Sequence, residues 1–128
     1  LAAIAVRYRE RLADEPFASF PVKLQKPTPG AQSSNHLFPI RIPHRDQMIE
    51  ELKKRGVSTG IHYPIPCHLQ PSMSDISHGE GSLVETERAA ASLISLPICP
   101  TMTPHDADEI CDIMMAAIMS MNHETSEM

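Results

Sequence analysis

The fold prediction rests on residues 36–63, which read HLFPIRIPHRDQMIEELKKRGVSTGIHY and predict a strand, a helix and a second strand in succession. Apolar side chains alternate over residues 36–42, which predicts a half-buried strand. Three of them share one face of this strand: Phe38, Ile40 and Ile42. Pro39 has no N–H to donate to a ladder, so we expect the strand to lie at a sheet edge or to carry a bulge.

The middle of this stretch, residues 45–55, has the clearest helical signals in the sequence. Asp46 lies where the helix dipole favours an acid, and Lys53 and Lys54 lie where it favours bases. Gly56 follows at the position where a left-handed residue ends a helix. The run of basic residues is therefore interpreted as a helix terminus and not as a binding patch.

The last part, residues 57–63, returns to alternation and predicts a second strand, which Pro64 ends. Residues 64–81 then contain three prolines and two glycines without a sustained period, which predicts a long loop. Long loops inside compact domains often carry function, so this loop is the first candidate for a site.

Further helices and extended segments flank this unit on both sides. The helices are predicted over residues 1–14, 85–94 and 103–121, and the extended segments over residues 17–24 and 96–99, with a polar tail over residues 122–128. The last helix has the best-defined start, because Thr103 can cap it, Pro104 suits its first turn and Asp106 can return the capping bond. The predicted fold class is α/β, a small sheet packed with about four helices.

The composition of the 128 residues is that of one ordinary globular domain, with 41% hydrophobic and 21% charged residues. The net charge of −5 argues against a surface that binds nucleic acid. The longest stretch without a polar residue, residues 113–119, is far shorter than the roughly 20 apolar residues of a membrane span. We therefore expect neither nucleic acid nor a membrane among the partners.

The cysteines and the first residue bear on the source of the chain. Cys67, Cys99 and Cys111 form no CxxC pair and leave one thiol unpaired in any disulfide scheme, which favours a reducing compartment and hence the cytoplasm. The sequence begins with Leu1, inside a predicted helix, so we expect it to be part of a longer protein.

Residues 60–71, GIHYPIPCHLQP, concentrate chemically active side chains at the exit of the second predicted strand. His62, Tyr63 and His68 offer two imidazoles and a phenol, and the prolines between them stiffen the loop. A stiff loop loses less entropy when it binds a polar ligand, so the segment suits ligand contact. The alternative is that His62 and Tyr63 only cap the edge of the sheet.

Two kinds of catalytic or metal site are disfavoured by the sequence. A metal would take His62, Cys67 and His68, with His36 or His44, but no second Cys/His pair completes the set. A lysine nucleophile needs a desolvated pocket in which to lose its proton, and the lysines lie beside a proline-rich turn or at a helix end. The residues alone predict a ligand-contacting loop and no catalytic residues.

Two motifs in this sequence are similar to those of one protein family. The segment G-x-H-Y-P-x-P-x-H over residues 60–68 and the segment S-L-P-x-x-P over residues 95–100 resemble the C-terminal domain of the DegT/DnrJ/StrS sugar aminotransferases, which depend on pyridoxal phosphate. A T-E-R-A helix lies between them, and the resemblance extends over almost all of residues 1–121.

The resemblance implies a small domain of a fold-type I aminotransferase, with residues 1–121 closing the substrate cleft and the large cofactor-binding domain absent from this chain. It implies transfer of an amino group, usually from glutamate, to a keto sugar nucleotide by a full-length homodimer. The lysine that carries the cofactor would lie in the large domain, so the chain alone would be inactive. By the same resemblance, His62, Tyr63 and His68 are the expected substrate contacts.

A second hypothesis, from a different class, is a free-standing domain that binds a ligand or another protein without catalysis. A shared fold does not by itself establish an activity.

Overall fold

A computed structural model describes residues 1–15 and 17–126. The α-helices in this part of the chain are α1 (Ala2–Ala13), α2 (Arg45–Lys54), α3 (Val84–Ser92) and α4 (Pro104–Ser126). The strands are β1 (Lys23–Leu24), β2 (Phe38–Arg41) and β3 (Leu93–Leu96). The predicted α/β class, with a small sheet and four helices, is confirmed.

The three strands form one antiparallel sheet in the order β1-β2-β3, so β2 is the central strand. The prediction that Pro39 marks an edge or a bulge was wrong. Pro39 faces Ser95 of β3, whose own N–H and C=O both bond Gly60 on the far side, so this pair exchanges no ladder bond. The backbone nitrogen of Pro39, which carries no hydrogen, therefore points towards β1. That strand has already ended at Leu24, opposite Ile40, so no ladder bond is needed there.

The predicted second strand over residues 57–63 was also wrong. Only Gly60 pairs, in an isolated antiparallel bridge to Ser95. The chain folds back after this bridge, so that the imidazole of His62 lies against Gly60 and Tyr63 is exposed. The third strand is instead β3, whose first residues had been assigned to the end of the preceding helix.

The core lies between one face of the sheet and the helices α1, α2 and α4. The ring of Tyr8 on α1 lies 4.9 Å from the ring of Phe38 on β2, and its hydroxyl donates to the carbonyl of Pro97 at 2.6 Å. The largest fully buried side chains are Tyr8, Ile40, Met48, Leu52, Ile94, Met114 and Cys111. The buried side chains of α1, α2, α4, β2 and β3 thus supply this core.

The ends of two helices follow the predicted signals. Gly56 after α2 has a φ of +85°, which is the left-handed conformation expected there. At the start of α4, Asp106 Oδ2 accepts from the backbone N–H of Thr103 at 2.6 Å, and Thr103 Oγ1 accepts from that of Asp106 at 3.3 Å. These two bonds are the reciprocal pair of a capping box. The bond from the backbone N–H of Thr103, followed by one from its hydroxyl to Oδ2 at 3.0 Å, lowers the pKa of Asp106.

The helix end predicted at Met121 was wrong, because α4 continues to Ser126. The added residues are polar but include neither proline nor glycine, and polarity alone does not end a helix. The rest of the predicted tail, residues 127–128, lies outside the described residues. Within the described part of the chain, none of the helices combines the length and apolar character that a bilayer crossing requires.

Candidate functional site

The loop that begins at Gly60 is anchored to the sheet through Ser95. Gly60 donates its N–H to the carbonyl of Ser95 at 3.2 Å and accepts from the N–H of Ser95 at 2.7 Å. A third hydrogen bond, of 2.9 Å, joins Nδ1 of His62 to Oγ of Ser95, which is only 5% exposed. The orientation of the His62 ring is therefore set by a buried group of β3.

Gly60 is needed for this arrangement, because a Cβ at that position would lie 2.7 Å from Cε1 of His62. We predict that Gly60→Ala displaces the His62 ring and breaks its bond to Ser95, at a cost of about 1–3 kcal/mol in the free energy of unfolding. Urea denaturation of the full-length protein measures the loss. Gly60→Ala in a His62→Ala background is the control, because the added Cβ no longer meets an imidazole there and should cost less. An unchanged His62 environment in the Gly60 variant would contradict the prediction.

Tyr63 lies beside His62 but faces outward. Its ring meets the His62 ring edge-on, with 5.4 Å between the ring centroids, and its side chain is 71% exposed. His62 and Tyr63 both line a groove of about 230 Å³ between the loop and α3. The ring of His62 also lines a larger cavity of about 480 Å³ on the sheet. The structure thus brings two of the three predicted contact residues to one place.

His68 is held separately from this pair. Its Nε2 lies 2.7 Å from Oε1 of Glu87 on α3, and its side chain is only 10% exposed. An ionised carboxylate only accepts, so Nε2 carries the proton in this bond. Nδ1 of the same ring is buried and has no hydrogen-bond partner among the described residues. His68 does not line either cavity. Its role in the structure is to bond the loop to Glu87 of α3.

Glu87 joins two parts of the long loop to α3. Besides His68, both of its carboxylate oxygens accept from the backbone N–H of Gly81, at 2.9 and 3.1 Å. The hydrogen bond from His68, followed by those from the backbone, lowers the pKa of Glu87. Glu87 is not predicted from the sequence as a site residue, because an acid in the first turn of a helix is already explained by the helix dipole. No sequence signal links it to a histidine 19 residues away.

We predict that Glu87→Gln releases the loop end at Gly81 without unfolding the domain. Glutamine carries no charge and places an NH₂ group where Oε2 accepts from Gly81, so its bonds to His68 and Gly81 should be weaker than those of the carboxylate. Hydrogen exchange of the Gly81 amide should become faster. Glu85→Gln is the matched control, because Glu85 lies on the same turn and pairs only with exposed Arg88 in the described contacts. Equal protection of Gly81 in both variants would contradict the prediction.

The same bonds should depend on pH in a defined direction. Because the folded pKa of Glu87 is below its ordinary value of about 4.3, its contribution to stability is fully present above that value. It is lost only as the pH falls through the lower, folded pKa. Gly81 exchange in the native protein should therefore accelerate in acid relative to the Glu87→Gln variant, after correction for intrinsic rates.

The described residues do not fit a site for the covalent attachment of a cofactor. All four lysines have exposed side chains: Lys23, Lys26, Lys53 and Lys54. A lysine that attacks a carbonyl group needs a desolvated pocket, and none of these four exposed side chains lies in one. In the same part of the chain, no three His, Cys, Asp or Glu side chains lie together as metal ligands would.

The chain matches the model of the DegT/DnrJ/EryC1/StrS aminotransferase family over residues 2–115. Among curated proteins, it is 35% identical over 113 residues to the erythromycin biosynthesis sensory transduction protein EryC1 of Saccharopolyspora erythraea, covering 88% of this chain. It is 35% identical over 111 residues to the dTDP-3-amino-3,4,6-trideoxy-alpha-D-glucose transaminase of Streptomyces venezuelae, covering 87% of this chain. It spans 30% and 28% of the length of these relatives.

Solved structures show the same fold. DesV of S. venezuelae, solved in complex with a ketimine intermediate, superimposes with a TM-score of 0.80 at 33% identity, over 91% of this chain and 30% of that one. A DegT DnrJ EryC1 StrS aminotransferase from Brucella abortus superimposes with a TM-score of 0.76 at 29% identity, over 90% of this chain and 29% of that one.

Proposed function

Because this chain belongs to the DegT/DnrJ/EryC1/StrS aminotransferase family, we propose that the full-length protein transfers an amino group to a keto sugar nucleotide. The observation that carries this proposal is the similarity, at 35% and 34% identity, to two transaminases of a dTDP-linked amino sugar. Glutamate is the proposed amino donor. Pyridoxal phosphate is the proposed cofactor, and it would supply the carbonyl chemistry of amino transfer from the part of the protein outside this chain.

In this proposal, residues 1–121 form the small C-terminal domain of a fold-type I enzyme and close the substrate cleft. The exposed phenol of Tyr63 and the fixed imidazole of His62 offer hydrogen bonds to sugar hydroxyls or phosphates. His68, bonded to Glu87, holds the loop to α3. We propose all three as residues of the substrate side: His62 and Tyr63 by contact, and His68 by contact or through the loop.

Two further features belong to this proposal. The full-length protein is proposed to act as a homodimer, which sedimentation of the purified protein tests directly. It is proposed to work in the cytoplasm, and the exposed free thiols of Cys67 and Cys99 support a reducing compartment.

The experiment is an assay of the full-length protein with pyridoxal phosphate, glutamate and a panel of dTDP-linked keto sugars. We expect 2-oxoglutarate and one amino sugar nucleotide in equal amounts, identified by mass spectrometry. Aspartate in place of glutamate tests the donor. If the folded, cofactor-loaded protein aminates none of these sugars but binds one tightly, the hypothesis of a ligand-binding protein without catalysis replaces this proposal.

A further inference from the structure

One face of the sheet packs on the core, and the other lines the cavity of about 480 Å³. Side chains alternate along a strand, so the residues between the buried ones face this cavity. Pro39 and Arg41 of β2 and Leu93 of β3 form its floor, and all three are only partly buried. His62 forms one wall and also lines the groove of the candidate site, so the cavity lies next to that groove.

The charge of this cavity has the opposite sign to that of the whole chain. Lys23, Lys26 and Arg41 line it, and no acidic side chain of the described residues does. Elsewhere, several of the basic residues are paired with acids, as in the bonds of Arg7 and Arg11 to Asp108. Although the net charge of the chain is −5, three basic side chains line this one cavity, and no acidic side chain among its lining residues pairs with them.

Arg41 is the cation with the most defined geometry. Its Nε donates to Oγ of Ser92 at 3.0 Å, which fixes the guanidinium over the sheet. The two terminal nitrogens are not used in that bond, and two such groups on one plane match the paired oxygens of a phosphate or a carboxylate. Lys23 and Lys26 have exposed, flexible side chains that can follow a second charged group.

We propose that this cavity binds an oxyanion ligand that carries at least two negative charges, through Arg41, Lys23 and Lys26. The proposal rests on the proposed function, since both reactants of an amino transfer to a sugar nucleotide have this chemistry. A sugar nucleotide carries a diphosphate, and a dicarboxylic amino donor carries two carboxylates. The wall shared through His62 places this charge beside the groove that contains Tyr63.

The test uses the full-length protein and two probes at constant ionic strength: inorganic diphosphate for the nucleotide and glutarate for the donor. Binding of each probe is measured by calorimetry. Arg41→Gln should weaken the recognised probe about tenfold or more, and the double variant Lys23→Gln with Lys26→Gln about tenfold. Lys53→Gln, an exposed lysine at the end of α2, is the matched control for lost charge and should leave binding unchanged.

Because Arg41→Gln also removes the bond to Ser92, the double lysine variant keeps the test independent of folding: both lysines are exposed. Loss of diphosphate affinity alone assigns the cavity to the nucleotide, and loss of glutarate affinity alone assigns it to the donor. The proposal is overturned if both variants bind both probes with native affinity. It is also overturned if the native protein binds neither probe. If a sugar nucleotide is aminated normally by the variants, the cavity proposal fails while the proposed function stands. If probe binding depends on Arg41 and the two lysines but no sugar nucleotide is aminated, the proposed function fails while the cavity proposal stands.

Discussion

The isolated chain of 128 residues should not aminate any sugar nucleotide when it is supplied with pyridoxal phosphate and glutamate. Its four lysines are exposed, and none lies in the desolvated pocket that an amine nucleophile needs. Incubation with the cofactor followed by borohydride should therefore label no single lysine stoichiometrically. Peptide mapping by mass spectrometry, together with the absorption spectrum, measures this.

The control is the full-length protein under the same conditions, which should be labelled at one lysine outside this chain. Scattered, substoichiometric labelling of the isolated chain is the expected background of exposed amines. Stoichiometric labelling of one of its four lysines, lost in the matching Lys→Gln variant, would contradict the prediction. We expect no detectable amination by the isolated chain, because none of its four lysines lies in a pocket suited to covalent attachment of the cofactor.

The helices were predictable because their signals are local. Asp46, Lys53 and Gly56 mark the two ends of α2 within one short segment, and Thr103 and Asp106 mark the start of α4. The sheet was less predictable because strand pairing joins distant residues. Alternation over residues 57–63 suggested a strand, but β3 supplies that partner, and only Gly60 pairs with it.

The same division between local and distant information applies to the site. His62 and Tyr63 were predicted to be contact residues, and they do lie together at one groove, although their contact with a substrate is still a proposal. The residues that hold the two histidines were not predicted, because Ser95 is far in sequence from His62, and Glu87 is far from His68. Ser95 lies inside a motif that the sequence analysis had singled out, yet its hydroxyl has a role only once β3 and the loop are brought together.

His62 should affect catalysis and stability through its two different nitrogens. Its Nδ1 bonds the buried hydroxyl of Ser95, whereas its ring also lines both cavities. In the full-length protein, His62→Ala should lower kcat/KM for the sugar nucleotide by a factor between a few-fold and about a hundredfold. This range corresponds to the loss of about 0.5–3 kcal/mol for one hydrogen bond to a neutral or charged group. It should also lower Tm, since the hydroxyl of Ser95 is left buried without its partner.

Two conservative variants separate these effects. The amide of asparagine lies near the position of Nδ1, so His62→Asn can keep the bond to Ser95 while losing the group at Nε2. We expect this variant to keep most of its Tm and to show the loss in kcat/KM. Glutamine places its amide nearer to the position of Nε2. His62→Gln should therefore have a lower Tm than His62→Asn and a higher kcat/KM. His68→Ala leaves Glu87 with one partner fewer, so its loss in kcat/KM should come with faster exchange at Gly81. If His62→Asn has native kinetics while His62→Ala loses only Tm, the role of His62 is confined to the sheet edge.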